Sequence, residues 1–284
     1  MRARQRAPPV GFGRQCLRQA RAAQRMRDML AGMAGRIAGH SSRFAEDGPW
    51  EAIRAACGEG TFGDLASRVG LDPATATARE VFLEALSTVA TYATAWGIVL
   101  RFSEGSDREM FLDAWRMECD VNGLARQMFL DAAYFYRGES VAETVGVDDG
   151  SVGPAQNYSF VSLTSGPVTG TKFAFDNYVK SAKTTVVLVI DARMARKAGA
   201  LPAVYSLASS ALDLRRSKES ADRTFPLGLA YEAQAHFRNR WPRGSGASMV
   251  AIITVFPLAP DERCQLERTG LPMLSGTDIF PKGG

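Results

Sequence analysis

The sequence predicts an α+β protein in which an all-helical N-terminal region precedes a mixed helix-and-strand region, and three observations carry that prediction. Apolar residues recur at helical intervals from about residue 49 to 133. After 134 the period shortens, and β-branched runs alternate with short helical patterns. The punctuation changes as well, from helix-start signals to clusters of Gly, Pro, Asn and Asp. The 284-residue chain is 46% hydrophobic and 23% charged, which is ordinary globular composition and enough to bury a core.

The first 43 residues contain ten arginines and one acid, Asp28. The remainder then holds 24 basic and 29 acidic residues, a net of −5 against the whole-chain +4. The basic character therefore belongs to a lead-in, and the mildly acidic body argues against a surface that grips nucleic acid. The lead-in has loosely helical apolar spacing from Cys16 to Ile37 and lacks the apolar core of a secretory signal. It reads as a solvated amphipathic or partly disordered segment, with export or targeting as its candidate role.

Four or five helices are expected next, and two stretches carry clear start signals. "DPATATAREVFLEALSTVATYATAWGIVL" starts with Asp72 as N-cap and Pro73 at the first helical position. "SDREMFLDAWRMECDVNGLARQMFLDAA" starts with Ser106 and Glu109 at capping-box spacing. No apolar run reaches the roughly 20 residues of a membrane helix, so no membrane span is expected. Beyond 134, "YSFVSLTS", "TTVVLVIDAR" and "SMVAIITVF" read as strands, with "FAFDNYV" and "PAVYSLASSALDL" as short helices between them. The expected divisions are 1–43, 44–133 and 134–284.

Several chemistries find no support. Cys16, Cys57, Cys119 and Cys264 are far apart, and His40 and His236 are the only histidines, so no metal centre is implied. "SGPVTGTKF" fails as a phosphate loop, because Thr171 separates Gly170 from Lys172 and Phe173 occupies the hydroxyl position. "TFGDLASRVGLDPATATARE" has a helix-turn-helix cadence, but Arg79 is the only base in the first turns of its second helix.

Three stretches make sense only together. "YFYRG" carries Arg137 and Gly138 where a strand is expected to end. "YSFVSLTSG" carries Ser162 and Thr164 two residues apart, on one strand face. "YEAQAHFRNRWP" carries Glu232 and Gln234 at the same spacing. In that order the set resembles the Arg–Ser–Glu branch of the ADP-ribosyltransferase toxins, the group of cholera and pertussis toxins, over residues of about 130–260. "VVLVIDARMARKAGA" and "LAYEAQAHFRNRWP" are similar to segments of pertussis toxin's catalytic subunit. One departure stands out: Gln234 falls in the slot of the family's catalytic glutamate and Glu232 in the slot before it. "CQLE" offers Glu267 in the expected order as a second choice, beyond the "MVAIITVF" strand.

The resemblance implies a two-sheet NAD-binding domain and transfer of ADP-ribose from NAD, used as a substrate, to a side chain of a target protein in a host cytoplasm. The enzyme would be a secreted bacterial effector, its helical region serving target recognition. Ubiquitin, whose threonine one group of such effectors modifies, is a compatible target. In that scheme Arg137 clamps the diphosphate bidentately and Gly138 allows close approach. Ser162 and Thr164 orient the carboxylate of Glu232, which faces an oxocarbenium-like transition state, and Gln234 contacts the ribose or the acceptor. The alternatives are an NAD glycohydrolase using water as acceptor, or a non-enzymatic binding protein, either an inactive transferase-like scaffold or a helix-turn-helix regulator.

Overall fold

The computed structural model describes residues 12–141, 161–181, 184–212, 223–227, 234–237, 249–254, 259–268 and 273–274. It combines helix and sheet, with helix predominating in the first half. Six helices come first: α1 (Phe12–Phe44), α2 (Gly48–Cys57), α3 (Glu59–Arg68), α4 (Ala78–Ser87), α5 (Tyr92–Phe102) and α6 (Gly105–Asp131). Strands β1 (Tyr134–Ser140) and β2 (Val161–Thr164), helix α7 (Pro167–Ser181), β3 (Thr185–Asp191), α8 (Ala192–Lys197) and β4 (Leu201–Pro202) follow. The rest comprises β5 (Tyr205–Ser206), α9 (Ala208–Ala211), β6 (Phe225–Pro226), β7 (Gln234–Phe237), β8 (Met249–Thr254), α10 (Pro260–Arg268) and β9 (Met273–Leu274).

The chain forms two compact units, and they do not follow the divisions expected at 43/44 and 133/134. One is built from Met1–Arg27, Ala125–Pro202 and Glu232–Gly284, the other from Asp28–Leu124 and Ala203–Tyr231. The basic lead-in therefore contributes its first turns to the sheet unit. Cys16, Ala23 and Met26 of α1 are buried, and Gln19 donates to the Tyr134 carbonyl at 2.8 Å. The segment from Ala203 belongs to the helical unit because α6 captures its backbone. The Asn122 amide donates to the Tyr205 carbonyl at 3.0 Å and accepts from the Tyr205 N–H at 2.7 Å.

In the helical unit, the expected long helix from Asp72 is two helices. Asp72 caps a turn instead, accepting from the Ala74 N–H at 3.0 Å, and the helix starts at Thr77 with a reciprocal capping box to Glu80. It breaks after Ser87, where the Thr91 hydroxyl donates to the Ala85 carbonyl at 2.7 Å and Thr88 bridges to Arg223. Helix α6 starts at Gly105, one residue ahead of the expected Ser106 cap. The core is aromatic: Trp50 stacks on Phe82 at 5.6 Å between centroids and lies 5.0 Å from Phe111. In α4, Ala78, Val81, Phe82, Leu83, Ala85, Leu86 and Ser87 are all buried, and Arg79 is paired with Asp47 at 2.9 Å. Of the remaining residues Glu80 is exposed and Arg79 and Glu84 are half-buried.

Among the described residues the sheet unit holds seven strands in the order β4-β7-β2-β1-β3-β8-β9. β1 and β3 pair antiparallel along their full lengths, from Tyr134↔Asp191 to Ser140↔Thr185. β1 and β2 share one pair, Tyr136↔Thr164. β2 pairs with β7 from Val161↔Phe237 to Thr164↔Gln234. Alternation on β1 separates two apolar layers. Phe135 packs with Leu163, Val186, Leu188 and Ile190, whereas Tyr134 and Tyr136 pack with Cys16, Val187, Val189 and Ala174 of α7. The failed phosphate-loop stretch is the start of α7, with Pro167 at its head. Arg196 of α8 closes the end of α6, donating to the carbonyls of Phe129 at 2.8 Å and Ala132 at 3.1 Å.

Candidate functional site

Arg137 is the central residue of β1, with three strand residues on either side, so it does not end the strand as the sequence suggested. The strand continues because α7 covers it and β3 pairs with it throughout. The guanidinium bonds in two directions. Its Nε pairs with Glu139, two residues on and therefore on the same face, and its Nη1 donates to the Ser162 carbonyl at 2.8 Å. The Arg137 side chain is 18% exposed and that of Glu139 only 4%. With one pair between β1 and β2, Gly138 and Ser162 form no ladder pair, and the guanidinium takes the Ser162 carbonyl instead. A cation thus stands where two neighbouring strands part.

Gly138 serves a different contact from the one expected. A Cβ built there would lie 2.7 Å from Ala174 Cα and 2.9 Å from Ala174 Cβ. The close approach that glycine permits is that of α7's backbone. Gly170 answers it from the helix, where an added Cβ would lie 2.7 Å from Tyr136 Cβ.

Ser162 and Thr164 flank Leu163, which belongs to the Phe135 layer, so their side chains fall on the other face, with Tyr136. Thr164 is buried and its hydroxyl accepts from the Gly166 N–H at 3.2 Å, turning the chain into α7. The structure therefore gathers the strands of the predicted site but divides its side chains. Arg137 and Glu139 lie on one face of β1, and Ser162 meets Arg137 through its carbonyl.

Gln234 opens β7 as the Cα partner of Thr164. Glu232 lies outside the described residues. Glu267 is exposed on α10, at 53%, and paired with Arg263 at 3.2 Å, while its neighbour Leu266 is buried in the layer of Phe135 and Leu163. Among the described residues no three His, Cys, Asp or Glu side chains stand close enough to hold a metal ion, and no helix is long and apolar enough to cross a membrane. All four cysteines are free thiols, and burial raises the pKa of Cys16.

Sequence reasoning missed Glu139, although Arg137-x-Glu139 on a strand is a same-face spacing. It also missed the polar centre of the helical unit. Glu118 is wholly buried and accepts from Tyr92 Oη, from Trp96 Nε1 at 2.9 Å and from the Leu207 N–H at 2.6 Å. Glu118 and Asn122 are one turn apart on α6, the spacing at which two side chains grip one segment. Comparison with protein-family profiles, with curated proteins and with solved structures finds no match for this chain.

Proposed function

We propose that the sheet unit binds NAD and transfers its ADP-ribose to a side chain of a target protein. The observation that carries the reading is the strand order. Segments at 134–140, 161–164 and 234–237, scattered along the sequence, are consecutive neighbours in one sheet. A guanidinium at the opening between the first two supplies the charge that a diphosphate needs.

Cleavage of the nicotinamide–ribose bond passes through an oxocarbenium-like state, and its leaving group is already cationic. The chain's task is to hold the diphosphate and to aim a carboxylate at the developing cation. Arg137 is assigned the first role and Glu232, two residues ahead of Thr164's partner Gln234, the second. Arg137→Ala is expected to weaken NAD binding by more than tenfold in calorimetry. Glu232→Ala is expected to leave binding within a few-fold and reduce turnover by at least a hundredfold.

The deciding experiment incubates the protein with labelled NAD and a eukaryotic lysate, beside Glu232→Ala. A labelled protein band that the variant loses supports the transferase, and mass spectrometry then tests whether the acceptor is ubiquitin. Nicotinamide release without a labelled band assigns water as the acceptor, a glycohydrolase. The inactive-scaffold reading is favoured by one observation, the pairing of Arg137 with buried Glu139. Absence of both label and nicotinamide would select it.

A further inference from the structure

We infer that the first turns of α1 form a docking ridge for the phosphate backbone of nucleic acid, a surface separate from the candidate NAD site. Arg14, Arg18, Arg21 and Arg25 are all exposed, and their spacing of four, three and four residues repeats once per turn. At 3.6 residues per turn they fall within an arc of about 60° and extend roughly 16 Å along the helix. The opposite side of the same turns, Cys16, Gln19, Ala23 and Met26, is buried, with the Cys16 thiol 3.0 Å from Tyr136 Oη and the Gln19 amide donating to the Tyr134 carbonyl of the sheet unit. The ridge is therefore held rigidly outward.

Charge bookkeeping separates these four arginines from the rest of α1. Arg36 pairs with Asp113, and Arg43 with Glu46 and with Asp107 at 2.8 Å. None of Arg14, Arg18, Arg21 and Arg25 has an ion-pair partner among the described residues. Four like charges at adjacent turns repel one another, so the arrangement costs stability unless an anion lies along it.

The occupant follows from the chemistry. A narrow line of cations fits a row of charges rather than a single ion. Residues 1–43 contain ten arginines and no lysine, and arginine's planar fork binds phosphate oxygens in pairs. An anionic lipid surface fits less well, because helices that bind membranes bury an apolar face among the acyl chains. Here the apolar face is already buried. The sequence expectation against nucleic acid rested on the acidic body and on the sparse bases of 61–80, and this ridge belongs to neither. Contacts confined to phosphates imply binding without sequence preference.

The test uses the full chain, a labelled random-sequence duplex of about 25 base pairs, and anisotropy titrations across salt concentration. Each phosphate neutralised contributes about 0.9 to the slope of log affinity against log salt, so four contacts contribute about 3.6. The variant Arg14→Gln/Arg18→Gln/Arg21→Gln/Arg25→Gln should lose that much slope and bind roughly a hundredfold more weakly at the lower salt end. Replacing the same four by lysine should retain most of the slope. If the fourfold glutamine variant does not fold by near-UV circular dichroism, the two pairwise variants should each lose about half the slope. An unchanged slope in folded glutamine variants overturns the inference. So does absence of duplex binding at low salt, or binding to phosphatidylserine vesicles in its place.

Discussion

Glu118→Gln tests the polar centre of the helical unit, and its outcome depends on pH with a definite sign. Glu118 is wholly buried, and burial raises its pKa from 4.5 to about 7 despite hydrogen bonds from Tyr92, the Leu207 N–H and Trp96. The unfolded chain releases this proton near pH 4.5 and the folded chain near 7. Between those values the folded state binds more protons, so the free energy of unfolding falls as pH rises. The full stabilisation is present below pH 4.5 and is lost above 7. A difference of 2.5 pH units corresponds to about 3 kcal/mol. The substituted amide has no proton to release, but it carries one acceptor oxygen where Trp96 and Leu207 donate to two. One donor is left unpaired, a constant cost of about 1–3 kcal/mol. Urea unfolding followed by tryptophan fluorescence, at steps from about pH 4.5 to 8, measures both chains. The wild-type advantage over Glu118→Gln should shrink by about 3 kcal/mol across that range. A pH-independent difference would refute the reasoning, because it would mean that the surrounding donors keep the buried carboxylate ionised throughout.

Gly138→Ala should destabilise the sheet unit by about 3 kcal/mol or more, since the new methyl meets backbone atoms of α7 rather than a yielding side chain. Chemical denaturation measures this, and a loss below about 1 kcal/mol would show that α7 can lift from β1 at little cost. Asn122→Ala removes two bonds to the Tyr205 backbone and should speed proteolysis between residues 203 and 227. An unchanged cleavage rate would show that Glu118 alone holds the segment. Arg137→Met and Glu139→Gln should each cost about 3 kcal/mol, because each breaks a largely buried ion pair, while the double variant should cost less than their sum. Additive losses in that cycle would count against a coupled pair.

The parts of this fold that were legible in the sequence are those written in local patterns. The β-branched run at 185–190 is a strand buried on both faces, and the shift from helical to strand period near 134 coincides with the end of α6 and the start of β1. What was not legible depends on partners distant in the chain. Asp72-Pro73 is a good helix start locally, yet Thr77 and Glu80 form a reciprocal box and begin the helix there. Residues 202–214 read as a short helix, but Asn122 and Glu118 hold Tyr205 and Leu207 by their backbone, and among the described residues of this stretch only Ala208–Ala211 are helical. At the candidate site the sequence pointed to strands that do become neighbours. It said nothing of which face each side chain takes, since one register pair, Tyr136↔Thr164, fixes that choice for β1 against β2.

That register makes β1 a strand with two unlike faces. On the α7 side, Tyr136 and Gly138 meet a helix so closely that a Cβ added at Gly138 or at Gly170 would force a displacement. This face serves packing, and the short side chains there explain Gly138 without any ligand. On the other face, Arg137 and Glu139 interrupt a layer of Phe135, Leu163, Val186 and Leu188. An ion pair among aliphatic residues costs more to desolvate than an apolar pair of similar size, so packing alone does not account for it. The pair instead occupies the point where β1 and β2 stop pairing, and it satisfies a carbonyl that the ladder leaves over. A strut needs only that carbonyl bond. A ligand clamp needs, in addition, that a diphosphate compete with Glu139 for the guanidinium. Glu139→Gln therefore separates the two roles: it should tighten NAD binding if Glu139 is the competitor, and leave it unchanged if Arg137 is only a strut.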